Sequence, residues 1–365
     1  MKPKKTGAAL PPNILIFDMD GVLIDVSGSY RKAIEETIRL YLQVCLQFRD
    51  AANPPVLDRA VSLFKAAGGF NNDWDLTSGL LFYLLSLSGL PASLKRRTFS
   101  SIEETVAYLQ RESSGSSVRM PKAINLSRLS SFLETVKASG GGLKGIRRVF
   151  QGSWDGWVYG FGGLDRTNVV KRIFQEVYLG RKFISCYPLK RLFYRGKGYY
   201  LSEKMLIPVK VLSVLRRKIR LGIATGRPRF EAELALKRFR LPAYFKSIIT
   251  LDECMEEEGR LFDATGRRLK CTKPHPFSLQ KAIEEIGHPA PRCGYVGDTV
   301  DDIRAARALK RKTPVLAFGF IPPPGNRPLE KTLKKAGADA VIRRPEELLR
   351  FASQSGRFAT LRRLK

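Results

Sequence analysis

Polar residues on both sides bracket an unbroken apolar run, Ile14, Leu15, Ile16 and Phe17, which predicts a strand buried on both faces over 13–20. After a turn the pattern changes to helical spacing, with Ala33, Ile34, Ile38 and Tyr41 marking a helix over 29–48. Further helices are expected over 57–66, 74–87, 101–112, 126–138 and 168–179. The Ser/Gly/Pro run SSGSSVRMP, 113–121, reads as a loop, and GGGLKG, 140–145, as a flexible connection: its GxGxxG spacing follows a helix rather than a strand.

From about Pro208 short apolar runs alternate with helical ones. Helix 209–218 leads to strand 220–226, helix 229–239 to strand 247–251, helix 277–287 to strand 293–298, and helix 301–310 to strand 314–320, with 339–342 a last strand. Such alternation argues for an α/β fold, a Rossmann-like doubly wound parallel sheet that recruits the strand at 13–20. The sheet domain is then discontinuous, 11–24 plus 206–352, and is split by an enlarged, mainly helical insertion, 25–205. A basic tail, 353–365, closes the chain.

Composition adds one strong fact and several exclusions. The net charge is +30, and between Arg181 and Arg240 there are 17 Lys or Arg against 3 acidic residues. An excess of that size suits phosphorylated substrates or nucleic acid, and equally a solvated basic surface. No segment approaches the roughly 20 apolar residues of a membrane span, so no membrane partner is expected. With no apolar leader after MKPKKTG, a soluble cytoplasmic protein is expected. Five cysteines without a CxxC pair and two histidines suggest neither a disulfide framework nor a zinc cluster.

Open parallel sheets bind ligands beyond the carboxyl ends of their strands. The polar residues there are Asp18 and Asp20 in DMDG, Thr225 in ATGRP, and Asp298, Asp301 and Asp302 in GDTVDD, with Lys273 in KPHP before the last of these. Carboxylates gathered at one spot repel by about 4 kcal/mol for a pair some 4 Å apart at an effective dielectric near 20. A cation must therefore hold them together, and an all-oxygen set without histidine suits Mg²⁺. Lys273, the Thr225 hydroxyl and the backbone of the DMDG turn complete a phosphate-sized cradle. Within it one aspartate can attack phosphorus while the other moves the proton.

In order and kind, DMDGVL, ATGRP, KPHP and GDTVDD resemble the four motifs of the haloacid dehalogenase-like hydrolase superfamily. The resemblance implies Asp18 as nucleophile, Asp20 as general acid/base, and Thr225 and Lys273 as phosphate and charge contacts. It also implies Asp298 and Asp302 as the acidic pair beneath Mg²⁺, which Asp18 and the backbone carbonyl of Asp20 help to bind. A cap inserted between the first two motifs is similar to the phosphoglycolate phosphatase and β-phosphoglucomutase branch, and GGFNNDWDLT and FQEVYLG look like an uncharacterised part of it. Asp20 favours phosphate esters over carbon–halogen bonds. The expected activity is hydrolysis of a small phosphorylated metabolite through an aspartyl-phosphate. The alternatives are a phosphomutase, or a nucleic-acid-end phosphatase or binding protein using the basic surface. A closing cap argues against a polymer, so specific nucleic-acid binding is not expected.

The remaining candidates admit two readings each. Asn72 or Asp73 is an N-cap for the helix beginning near Trp74, or Asn71, Asn72, Asp73 and Trp74 form a substrate-reading loop, and both readings can hold at once. Gly226 and Arg227 contact the substrate phosphate, or Arg227 forms a surface ion pair. His275 reads as a local hydrogen-bonding residue, and Asp301 as a solvent-facing support of its turn.

Overall fold

A computed structural model describes residues 11–48, 58–70, 72–114, 121, 123–309, 313–323 and 325–351. The basic tail, 353–365, Asn71 and most of the 113–121 loop lie outside the described residues. The chain forms two compact units, one made of the described residues up to Asp25 together with those from Lys204 onward, the other Val26–Glu203.

The first unit is built on a parallel sheet. Its first strand, β1, is Ile14–Phe17, and all four residues are buried. A short antiparallel ladder follows between β2 (Ile24–Asp25) and β3 (Lys204–Met205), where the chain leaves the unit and returns. Then come β4 (Arg220–Ala224), β5 (Ser247–Ile249), β6 (Cys293–Gly297), β7 (Val315–Phe320) and β8 (Ala340–Ile342). Among the described residues the six-stranded sheet has the order β5-β4-β1-β6-β7-β8. β1 therefore lies where the strand order reverses, with Phe17 level with Ile223 on one side and Val296 on the other. The crevice of an open α/β sheet opens at that reversal.

The strand at 13–20 is shorter than expected because Asp18 leaves the ladder for a turn through Gly21, whose φ is +74°. A β-carbon at Gly21 would also overlap the Asp298 carboxylate, so glycine is required there on two counts.

The second unit is helical. It holds α1 (Tyr30–Leu40, continued by a π turn, Tyr41–Cys45), α2 (Asp58–Ala67), α3 (Asp73–Ser86), α4 (Ile102–Ser113), α5 (Leu126–Ala138), α6 (Gly142–Val149), α7 (Val169–Leu179) and α8 (Phe183–Cys186). α7 is buried along almost its whole length, and so is α3 from Leu76 to Leu85. A helix apolar all round must be enclosed by others, which explains the run LLFYLL. The buried Arg172–Glu176 pair (2.8 Å) is an exception in that interior, and Glu176 also accepts the amides of Leu192, Phe193 and Tyr194.

GGGLKG is not a flexible connection, since residues from Gly142 belong to α6. Gly140 and Gly141, both at positive φ, turn the chain out of α5. Gly145 then lets α6 approach α5, because a β-carbon there would meet the Val136 carbonyl.

In the first unit the helices are α9 (Val209–Leu215), α10 (Arg229–Arg238), α11 (Leu251–Thr265), α12 (Phe277–Ile286), α13 (Val300–Leu309) and α14 (Arg327–Ala336). Leu279, Ala282, Ile283 and Ile286 of α12 and Ile303, Ala306 and Leu309 of α13 share one core with Ile14, Ile16 and Tyr295. The expected pattern passes over α11 and α14. The start of α11 is legible as a capping box, with the Thr250 amide donating to Glu253 (2.7 Å) and the Thr250 hydroxyl accepting from Asp252.

Candidate active site

Three strand ends meet at one point. Asp18 follows β1, Thr225 follows β4 and Asp298 follows β6, and β4 and β6 flank β1. The backbone keeps them in step: the Asp18 amide donates to the Val296 carbonyl (2.9 Å) and the Thr225 amide to that of Ile249 (2.9 Å).

Carboxylate oxygens of Asp18, Asp298 and Asp302 all lie within 4.8 Å of one another. Asp18 is buried, and its Oδ1 accepts the Met19 amide (2.8 Å) and lies 3.0 Å from Lys273 Nζ. Oδ2 takes no hydrogen bond among the described residues, so one oxygen is anchored and the other available. Burial, helped by the negative charges of Asp302 and Asp20, pushes the Asp18 carboxyl up to about 7 against the pull of Lys273.

Lys273 joins two of the carboxylates. Its ammonium donates to Asp302 Oδ1 (2.7 Å) and to the Tyr295 hydroxyl (3.1 Å). Burial alone would lower its pKa, but Asp18 and Asp302 outweigh that and hold it well above the usual lysine value. Asp302 is fully buried and saturated: Oδ1 also accepts from Tyr295 (2.9 Å), and Oδ2 from the Thr299 amide (3.0 Å) and hydroxyl (2.6 Å). Although burial raises its pKa, Lys273 and Thr299 bring it below the usual carboxylate value. Asp302 therefore anchors Lys273 and adds negative charge to the cluster. Asp18 and Asp298 are the donors closer to a ligand role.

This set fits a hard divalent cation. All its donors are oxygens, and Gly21 is bare where a β-carbon would displace the Asp298 carboxylate from the DMDG turn.

Asp20 stands apart from that cluster. Its Oδ1 accepts from Arg227 Nε (2.6 Å) and lies 2.5 Å from Arg227 Nη2; the arginine side chain is 1% exposed and the aspartate side chain 32%. The expected surface ion pair of Arg227 is thus a pair with a buried arginine, made to Asp20. The Arg227 amide also donates to Thr225 Oγ1 (3.2 Å), which leaves the hydroxyl proton free to serve another acceptor. Gly226 is exposed, with nothing within 4 Å of where a side chain would start.

The other candidates have local partners in their own surroundings. Asn72 caps α3, its Oδ1 accepting the Asp75 amide (2.7 Å), and Trp74 lies edge-on to Phe174 with Lys171 Nζ 4.3 Å from its ring centre. Both belong to the second unit. His275 Nδ1 accepts the Phe277 amide (3.3 Å), and Asp301 lies 3.6 Å from Arg304. Tyr295 and Thr299, which tie Asp302 in place, escape a motif-based reading. Only the three-residue spacing of Thr299 and Asp302 at the start of α13 hints at the second.

Among known proteins, residues 207–310 match the haloacid dehalogenase-like hydrolases. The chain is 25% identical over 317 residues to the imidazoleglycerol-phosphate dehydratase of Phytophthora nicotianae, covering 86% of this chain and 44% of that one. It is 32% identical over 129 residues to the phosphoglycolate phosphatase of Xylella fastidiosa strain 9a5c, covering 35% of this chain and 47% of the relative. It thus spans about half the length of the curated relatives it matches. An X-ray structure from the Northeast Structural Genomics Consortium shares the fold, with a TM-score of 0.57 at 20% identity over 92% of this chain and 97% of that one. No helix among the described residues is long and apolar enough to cross a membrane.

Proposed function

We propose that this chain, which belongs to the haloacid dehalogenase-like hydrolase superfamily, is a Mg²⁺-dependent phosphatase of a small phosphorylated metabolite. The observation that carries the reading is the meeting of Asp18, Asp298 and Asp302 at the switch point of the sheet, with Lys273 between two of them. The family match and the phosphoglycolate phosphatase relative support it.

Each residue has a task set by its surroundings. Asp18 Oδ2, the oxygen without a hydrogen-bond donor, attacks phosphorus, and the bond to the leaving oxygen breaks. Asp20 gives that oxygen its proton, then takes one from the water that hydrolyses the aspartyl-phosphate. The Thr225 hydroxyl and Lys273 ammonium hold the phosphoryl oxygens and offset their charge. Asp18, Asp298 and the Asp20 carbonyl, with Asp302 beneath, would hold Mg²⁺, which when bound neutralises charge shared by the carboxylates and the phosphate.

Phosphate release from a panel of metabolite monoesters, with Mg²⁺ and with excess chelator, tests the reading. The expected result is turnover of at least one small ester that chelation abolishes. Equal release with and without chelator, or none from any ester, refutes it.

A further inference from the structure

A second cluster of charge lies at the other end of the same sheet, where β4 and β5 begin. The segment Arg216–Arg220, which leads into β4, and Lys246, which precedes β5, line a cleft of about 410 Å³ beside Tyr244. That is within the volume range of small-molecule sites, about 300 to 1,000 Å³. Five cations face it, Arg216, Arg217, Lys218, Arg220 and Lys246, and no carboxylate does.

Elsewhere on this unit several basic side chains pair with acids. Arg229 pairs with Glu253, Arg260 with Glu257, Arg307 with Asp339, and Lys334 and Arg343 both with Glu330. None of the five cleft cations makes an ion pair among the described residues. Positive charge focused in a concavity with protein walls raises the local concentration of anions.

Two of the five are already ordered. The Arg216 guanidinium lies over the Tyr244 ring (4.6 Å) and Arg220 Nη1 donates to the Ile286 (3.1 Å) and Gly287 (3.0 Å) carbonyls. An incoming ligand need not immobilise them. Arg217, Lys218 and Lys246 are exposed and keep their donors for a ligand.

We infer that this cleft binds a small polyphosphate anion. Three of the five cations are arginines, whose forked donors match phosphate oxygens. A single phosphate would balance only part of the charge, whereas several linked phosphates spread theirs over the cluster. Four of the cations come from one five-residue segment, so the charge is concentrated rather than laid out as a track for a polymer. The one aromatic ring has a face covered by Arg216, which leaves little room for base stacking. The cleft is separate from the site of Asp18: Arg220 opens β4 and Thr225 follows its end, five positions on, which at roughly 3.3 Å each puts these two about 15 Å apart.

Titration calorimetry of the full chain with inorganic tripolyphosphate, in chelator and at near-physiological salt, tests the inference. Wild type and Asp18→Asn are expected to bind one equivalent with equal affinity, and more tightly than orthophosphate. The triple variant Arg217→Gln, Lys218→Gln, Lys246→Gln is expected to lose at least about tenfold in affinity, because three charge-assisted contacts go, while its melting temperature and phosphate-ester turnover stay at the wild-type level. The inference is overturned if the triple variant binds as wild type does, or if Asp18→Asn abolishes binding. Single-stranded oligonucleotide binding about tenfold or more tighter than tripolyphosphate also overturns it, in favour of a nucleic-acid surface.

Discussion

Arg227 Nε donates to Asp20 Oδ1 at 2.6 Å from a side chain that is only 1% exposed, so the carboxylate two residues beyond Asp18 is held by a cation locked in the protein interior. A charge-assisted pair of this kind restricts the Asp20 rotamer, and for the proton transfer proposed for Asp20 position matters as much as acidity.

Arg227→Met is therefore expected to lower kcat by about tenfold or more, as expected when a positioned proton donor loses its orientation, with a smaller change in KM. Arg227→Lys should recover part of the loss, since it keeps the charge but not the fork. Steady-state kinetics on one ester checks this. A change confined to KM would make Arg227 a substrate contact instead.

Asp18→Asn and Asp20→Asn should fail differently although the two side chains are so alike. The first removes the attacking oxygen, so turnover should fall to background. The second keeps the nucleophile and loses the proton shuttle, typically about 10² to 10⁴ in rate. Aryl phosphates, which need little protonation on leaving, should suffer less than alkyl phosphates, and phosphoryl-enzyme should accumulate. Rapid quench and peptide mapping should find the phosphate on Asp18. Phosphate on another residue is the contrary result.

Metal binding should depend on pH with a definite sign. Burial raises Asp18 to about 7 in the metal-free protein, so below that pH a cation must displace a proton. Mg²⁺ affinity measured by calorimetry should fall as pH drops from about 8 to about 6, with proton release growing towards about one per ion on the acid side. Asp298→Asn should weaken binding at every pH while leaving the melting temperature nearly unchanged. Affinity flat with pH would remove Asp18 from the ligand set.

Gly21→Ala tests the closeness of the DMDG turn to Asp298. A β-carbon there is strained by the φ of +74° and overlaps the carboxylate. The variant should be less stable by about 1 to 2 kcal/mol from the backbone alone and should bind Mg²⁺ more weakly. Wild-type affinity for the ion would mean that Asp298 has room to move without cost.

In the second unit, Asn72→Ala should cost about 1 kcal/mol through loss of the α3 cap. A lower melting temperature, with Asn72→Asp retaining most of the stability, is the expected outcome.

Sequence alone was enough to locate β1 and to pick out Asp18, Asp298, Asp302 and Lys273, because a parallel strand buried on both faces must be written in consecutive apolar residues and its functional groups must follow its carboxyl end. The insertion was legible for the same reason: helical spacing replaces strand spacing after the first turn, and strands alternate with helices again from about Pro208, close to where the second unit ends at Glu203. Local signals misled where glycine did two jobs. Gly142 and Gly145 read as a break, yet Gly142 begins α6 and Gly145 lets it pack against α5, a contact that only two elements together can require. Tertiary structure decided the rest. Nothing between Asp20 and Arg227 in the chain says that they will meet, and their pairing exists because β4 lies beside β1. Likewise Tyr295 and Thr299 became part of the site only because Asp302 is buried, and a buried carboxylate must find donors wherever the fold supplies them.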